Sequence, residues 1–418
     1  MRITFLNTFA ESGGAAIAGN RLYDALATRD HHLSGLVQFS EKTARPYKSS
    51  GLGMFRLGLE KLFFLPYEKD KSVRYKFSTA TVGSRIWDRL EVREADVLHL
   101  HWINQGFVSL QGLQYLARLG KPIIWTMHDM WPFTGGCHHS QECLNYQQAC
   151  GNCKYLKKPA PEDLSHQIWK KKKEVYDSGN FHFVGVSQWI TDLASESSLL
   201  SERSLTNIPN AIDTELFAPA GDKASAKRLF GLAPEKVVLA FSAFNLDDPR
   251  KGFSILKDAL GKLLSENPEL IDKLTLLVCG KTESEEKLFA DIICEVSYKG
   301  LLRGEDKMRE FYQASDLYVT PSLDENFGCT IMEALSCGLP VVAFPTGGTP
   351  ELVKNGRNGA LAEYGNATDL ALRLKELLTD KSKTEALASN ARAGIVSSYS
   401  YPVIANKYEE LYAKALGR

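Results

Sequence analysis

No excess of charge of either sign marks this chain: 50 Lys and Arg balance 50 Asp and Glu over 418 residues. A protein that holds nucleic acid through its phosphates carries a basic surplus, so nucleic acid is not an expected partner. No apolar run reaches the roughly 18 residues that a membrane span requires. The N-terminus, Met1-Arg2-Ile3-Thr4-Phe5-Leu6, enters a strand pattern at once instead of a signal peptide, which sets the expectation of a cytoplasmic protein. Internal repeats and low-complexity tracts are missing. The G-x-G-x-x-G spacing of the dinucleotide fingerprint is missing too, which argues against NAD. No Asp-x-Asp pair stands in a suitable place, so no catalytic metal is expected.

What is present describes an ordinary globular chain, 44% hydrophobic and 24% charged, too long for a single core. Short β-rich runs alternate with amphipathic stretches, the α/β signature. In the first half, 3–7, 35–39, 97–101, 122–127 and 181–186 read as buried parallel strands; in the second, 237–242, 274–279, 317–320 and 341–344 do. The stretch Ile208-Pro209-Asn210-Ala211-Ile212-Asp213 through Pro219 breaks this rhythm with two prolines and reads as a linker. A last helix, about 402–416, has spare apolar positions at Ile404, Tyr408, Leu411 and Tyr412. The expected organisation is a doubly wound domain over 1–208, a second over 209–401, and the helix at 402–418 packed back on the first. A ligand belongs in the cleft between two such domains, at the carboxyl ends of their strands.

The densest chemistry lies in Asp324-Glu325-Asn326-Phe327-Gly328-Cys329-Thr330-Ile331-Met332-Glu333. A strand precedes it and a helix carries Glu333, which places a helix N-terminus over a strand's carboxyl end. Such a terminus holds a phosphate or diphosphate well. The carboxylates on either side are acceptors for sugar and ribose hydroxyls. Phosphate flanked by hydroxyls describes a nucleotide-sugar. A glycosidase carboxylate pair fits less well. Eight residues of helix span roughly 12 Å, whereas glycosidases need about 5–5.5 Å or 6.5–9.5 Å.

Three further segments add to this. Asn7 to Ala16, with Gly13 and Gly14, joins a strand to a helix through small residues and reads as a phosphate cradle or a plain tight turn. Arg250-Lys251-Gly252 puts two cations at the start of a helix, where they oppose its dipole unless an anion binds there. Fixed cations of this kind stabilise a departing diphosphate; a solvated pair is the alternative. His128 ends the strand at 122–127 and is placed either to hold a substrate hydroxyl or to serve the core. His99 and His101 end another strand and read as packing or capping residues.

Together these pieces resemble the retaining glycosyltransferases of the GT-B fold in glycosyltransferase family 4, over nearly the whole chain. Ser315 to Ser322, Glu325 to Glu333, Ala334-Leu335-Ser336-Cys337-Gly338-Leu339-Pro340 and Gly347-Gly348-Thr349-Pro350-Glu351 carry the likeness. Asn210-Ala211-Ile212-Asp213 matches the family's Asn-Gly-Val-Asp hinge with Ala for Gly. The resemblance implies two Rossmann-like doubly wound domains facing across a cleft, and a UDP-linked donor as the expected one. It assigns the donor sugar's hydroxyls to Glu325, the ribose to Glu333, and the diphosphate to Lys251 with the backbone around Gly328, Cys329 and Thr330. His128 falls near the acceptor or the sugar's 6-position. The family's Arg just after the strand is replaced here by Ala243-Phe244-Asn245, leaving Arg250 as a substitute. The implied activity is transfer with retention to a saccharide or polyprenyl-linked acceptor, in cell-surface polysaccharide synthesis. A sugar phosphorylase, a sucrose-synthase-like enzyme and a non-catalytic sugar-binding protein are the alternatives.

Two segments stand outside that assignment. Cys137, Cys143, Cys150 and Cys153 form a C-x5-C-x6-C-x2-C array that fits a structural zinc site, with His138 or His139 able to replace one thiol. Disulfides and free thiols stay open. The array resembles an insertion in a subset of capsule and exopolysaccharide transferases. Residues 51–76 combine Met54, Phe55, Leu57, Leu59, Leu62, Phe63, Phe64 and Leu65 with six cations against three acids. They read either as a core helix with a solvated face or as an amphipathic segment on an anionic membrane, at the inner face of the plasma membrane.

Overall fold

The computed structural model describes residues 1–40 and 45–418. Contacts divide these into two units, one of Met1–Ala211 with Tyr401–Arg418 and one of Ile212–Ser400. Each is built on one wholly parallel sheet.

The first sheet contains β1 (Arg2–Phe9), β2 (His32–Phe39), β3 (Tyr47–Ser49), β4 (Val97–Leu100), β5 (Ile123–Met127), β6 (Phe181–Gly185) and β7 (Ser204–Asn207), in the order β3-β2-β1-β4-β5-β6-β7. The second contains β8 (Val237–Asn245), β9 (Leu274–Lys281), β10 (Glu295–Tyr298), β11 (Leu317–Thr320), β12 (Val341–Ala343) and β13 (Gly359–Leu361), in the order β10-β9-β8-β11-β12-β13. The central strands β4, β5 and β11 are buried along their whole length, as strands covered on both faces must be. The edge strands β3, β7, β10 and β13 are three or four residues long.

In both sheets the chain winds outward from an inner strand and then returns to wind the other way. The reversal falls between β1 and β4 in the first sheet and between β8 and β11 in the second. Loops leaving those strands diverge and open a crevice at each switch point.

The helix Tyr401–Ala415 closes the first unit. Ile404, Tyr408, Leu411 and Tyr412 are buried in one cluster with Ile3, Phe5 and Leu22. Polar ties fix its rotation: the Tyr412 hydroxyl meets His99 Nδ1 at 2.6 Å, and the Tyr408 hydroxyl meets Thr126 at 2.9 Å.

The helix Gly53–Phe64 follows neither pattern expected of a core helix. Only Glu60 and Phe64 of its twelve residues are buried, and Met54, Phe55, Leu62 and Phe63 are exposed. The reading of 51–76 as a core helix is therefore corrected. The apolar positions exist at helical spacing, but the opposite face is the one turned inward.

Candidate functional site

The loops after β8 and β11 meet at the second unit's switch point. After β8 the chain makes a short turn over Pro249–Lys251, then Gly252 at φ 71° leads into the helix Phe253–Glu266. A Cβ on Gly252 would lie 2.0 Å from the carbonyl oxygen of Pro321, at the end of β11. The left-handed backbone and this close approach both require glycine here. The result is that Lys251 is pressed against the other loop, and its Nζ donates to Glu325 Oε2 at 2.9 Å. The Glu325 carboxylate holds the Lys251 ammonium above its ordinary pKa.

Immediately beyond, the helix Cys329–Ser336 begins at Gly328, which has no side chain to cap it, and the first turn carries no acid. That end leaves its first N–H groups, with their partial positive charge, without a side-chain cap. Glu333, 5% exposed, sits one turn in and accepts from the Tyr312 hydroxyl at 2.8 Å. Thr330 bonds the buried Tyr318 hydroxyl, which also meets Ser242 at 2.9 Å. The Asn326 carbonyl accepts from Gly348 N–H, tying this loop to the one after β12.

Two expected donor residues are placed differently. The Phe327 ring is buried against Tyr399, with centroids 5.9 Å apart, so only its backbone faces the helix terminus. The Arg250 guanidinium turns back on Asp248, through Nη2 at 2.7 Å and Nε at 3.2 Å, and so is already engaged by a carboxylate. A cation that sequence reasoning overlooked, Lys281 at the end of β9, stands 4.9 Å over the Phe244 ring.

At the first unit's switch point, the helix Gly14–Ala27 starts from Gly13 at φ 91°, with no side-chain cap and no acid in its first turn. A Cβ added at Gly13 or Gly14 would meet nothing within 4 Å, so this terminus is open. Beside it, rings leave β4 and β5 in a stack. His99 and His101 lie 4.5 Å apart, His101 and His128 5.2 Å apart, and Phe5 covers the first two. His101 Nδ1 and His128 Nε2 share a hydrogen bond of 2.9 Å. Burial pushes the pKa of His128 down to about 4 and that of His99 to about 3, and lowers His101 well below the usual imidazole range. All three rings are neutral at pH 7. Nothing in the local sequence pairs His101 with His128; the contact exists because β4 and β5 are neighbours in parallel register.

Asp129 is a hub of the first unit. It accepts from Trp102 Nε1 at 2.7 Å, from His138 Nδ1 at 2.7 Å and from Trp131 N–H at 2.8 Å. Against the burial that would raise it, His138, His139 and the Trp131 N–H hold its carboxyl down at about 2. His138 also bonds Ser78 Oγ through Nε2 at 2.8 Å. Both ring nitrogens of His138 are thus hydrogen-bonded as placed. Cys137, Cys143, Cys150 and Cys153 are free thiols, near enough for several to raise one another's pKa. Burial pushes Cys137, Cys150 and Cys153 up to about 12. Among the described residues no group of three or more His, Cys, Asp or Glu is placed as a metal cluster. The segment is tied down by Asp163, which accepts from Cys153 N–H and Ser165 N–H, and by the buried Lys172 bonded to the carbonyls of Trp131 and Thr134.

Comparison with known proteins agrees with this architecture. The family described as Glycosyltransferase Family 4 matches residues 12–216, and Glycosyl transferases group 1 matches residues 232–394. The chain belongs to the group 1, family 4 glycosyltransferases. Within that family, a D-inositol 3-phosphate glycosyltransferase of Stackebrandtia nassauensis is 31% identical over 217 residues, 48% of this chain and 48% of that protein. One from Thermobispora bispora is 27% identical over 332 residues, covering 77% of this chain and 71% of its own length. The matched stretch thus spans about half of the first relative. A crystal structure of Anabaena Alr3699/HepE in complex with UDP and glucose superposes with a TM-score of 0.66 at 20% identity, covering 99% of both chains. This group 1, family 4 glycosyltransferase therefore has the GT-B fold class, two parallel-sheet Rossmann-like domains.

Proposed function

We propose that the chain is a retaining transferase that moves a sugar from a nucleotide-diphosphate sugar, UDP-linked, to a saccharide or lipid-linked saccharide acceptor in cell-surface polysaccharide synthesis. The observation that carries this reading is the Lys251–Glu325 pair, 2.9 Å apart, beside the uncapped start of Cys329–Ser336. A diphosphate needs what that corner offers: N–H groups at a helix terminus and a fixed ammonium. Lys251 takes the negative charge that develops on the leaving group, while Glu325 accepts hydroxyls of the sugar and keeps Lys251 charged. Glu333, braced by Tyr312, accepts from the ribose. The first unit contributes the acceptor side, where neutral His128 accepts or donates a hydroxyl hydrogen bond without a charge of its own. Retention without a covalent intermediate asks only for positioning and charge stabilisation. The UDP and glucose named for the Anabaena structure support the choice of donor.

Calorimetric titration of UDP, GDP, ADP and their sugars into the wild type and Glu333→Ala tests this. A uridine nucleotide should bind best, with affinity at least tenfold weaker in the variant. If no nucleotide binds, the transferase reading fails. Binding without any turnover or hydrolysis of the sugar nucleotide leaves the sugar-binding alternative in its place.

A further inference from the structure

The helix Gly53–Phe64 is an inverted amphipath. Its inward face is held largely by polar ties. Glu60 Oε1 accepts from Thr79 Oγ1 at 2.7 Å, and Oε2 accepts from Val82 N–H at 2.9 Å. Arg56 Nη2 donates to Ser50 Oγ at 2.9 Å and to the carbonyl of Gly51. Phe64 supplies the buried apolar anchor, stacked on Phe77 at 5.0 Å, with half-buried Leu57 beside it. The outward face holds Met54, Phe55, Leu62 and Phe63, flanked by Leu52 and Leu65, all between 50% and 73% exposed. A surface helix ordinarily does the reverse, and a contiguous exposed apolar patch marks a surface that meets another apolar phase.

The charges around the patch name that phase. Of the three acids in 51–76, Glu60 is buried and turned inward, and Glu68 is buried and paired with Arg74. Asp70 is the one exposed acid, whereas Lys69, Lys71 and Lys76 are all exposed. Lys61 lies at the patch margin, its amine 2.6 Å from the Tyr75 hydroxyl, and Tyr75 is itself exposed. An apolar strip bordered by lysines and a tyrosine matches the interface of an anionic bilayer, where acyl chains take the strip and lipid phosphates take the amines. A protein partner would gain from the apolar strip but has no comparable reason to need a basic rim.

We propose that this face docks the protein on an anionic lipid surface, with the helix Gly53–Phe64 lying in the plane of the headgroups. The proposal rests on this helix and the basic stretch that follows it; nucleotide binding by the second unit neither carries it nor falls with it.

The test is flotation of the full chain with phosphatidylcholine vesicles, with and without phosphatidylglycerol. Three proteins are compared: wild type, Phe55→Ser/Leu62→Ser/Phe63→Ser, and Lys69→Glu/Lys71→Glu/Lys76→Glu. The substituted side chains are all exposed, and UDP titration of each variant verifies its fold and reads the donor site separately. Wild type should float with the anionic vesicles and far less with neutral ones, and added salt should release it. The apolar variant should lose at least tenfold in binding to both, while the charge variant should lose the preference for anionic lipid. Wild type that stays with the soluble fraction overturns the proposal. So does a wild-type dimer that the apolar substitutions convert to monomer without any vesicle binding, since the occupant is then a second copy.

Discussion

The two switch points share a topology and differ in how they treat charge. In the second unit, the loops after β8 and β11 bring an ammonium and a carboxylate together and leave a helix terminus uncapped, so formal charge is kept and displayed. In the first unit, β4 itself and the loops after β4 and β5 bring three imidazoles together, and burial strips their charge. On the proposed reading, the same sheet reversal serves opposite ends. A site for a leaving group that gains negative charge requires a permanent cation, whereas a site for a hydroxyl requires groups that donate and accept without drawing in an ion. The difference also sets how each region should respond to substitution and to pH.

The sharpest way to break the charged corner is Lys251→Met, which keeps length and removes the ammonium. On the proposed reading, turnover should fall by about 10²–10³-fold, the scale of losing one preorganised charge-stabilising group. Steady-state kinetics on the sugar-nucleotide donor checks this, and an unchanged kcat would remove Lys251 from the chemistry.

Next in size is Gly252→Ala. It leaves every charge in place and moves only the backbone that presses Lys251 against Glu325. The left-handed conformation alone costs roughly 1–3 kcal/mol for a residue with a Cβ. The approach of 2.0 Å to the Pro321 carbonyl forces the two loops apart in addition. Denaturant unfolding should show the loss, and donor affinity should fall with it. If stability drops while affinity holds, the Lys251–Glu325 contact is not what binds the donor.

A third effect is spread over pH and belongs to the neutral stack. His99, His101 and His128 have folded pKa values below the ordinary 6.5, so between that value and their folded pKa the unfolded chain binds more protons than the folded one. Stability is therefore fully present above about pH 6.5 and falls as the pH drops below it, by about 1.4 kcal/mol per pH unit for each histidine held neutral. Thermal or urea unfolding from pH 7.5 to 5 reads this, and His99→Gln should flatten the slope by one proton. A slope that is absent in the wild type would mean that the stack is protonated and the contrast with the charged corner is false.

Much of this was legible in the residues. The nine strands read from the pattern all appear, because a strand buried on both faces must be a continuous apolar run. The four strands not read, β3, β7, β10 and β13, lie at sheet edges, where Tyr47-Lys48-Ser49 or Ser204-Leu205-Thr206-Asn207 pairs on one side only and needs no such run. The corner at Glu325 and Lys251 was legible for a related reason. Helix termini and charged loops carry their chemistry within a few consecutive residues. Its brace was not, since Tyr312 lies 21 positions from Glu333 and meets it only through the packing of two helices.

The sequence by itself therefore determined the parallel sheets and the phosphate-type corner, because strand burial and helix-terminus chemistry are local properties. The tertiary structure alone decided which rings stack on His128, which carboxylate Lys251 and Arg250 each meet, and which way the helix Gly53–Phe64 faces. That last point shows the physical limit most clearly. A helical period records that one face is apolar and the other polar, and the period is identical whichever face turns inward. Only the hydrogen bonds that Glu60 and Arg56 find in the folded unit settle the direction.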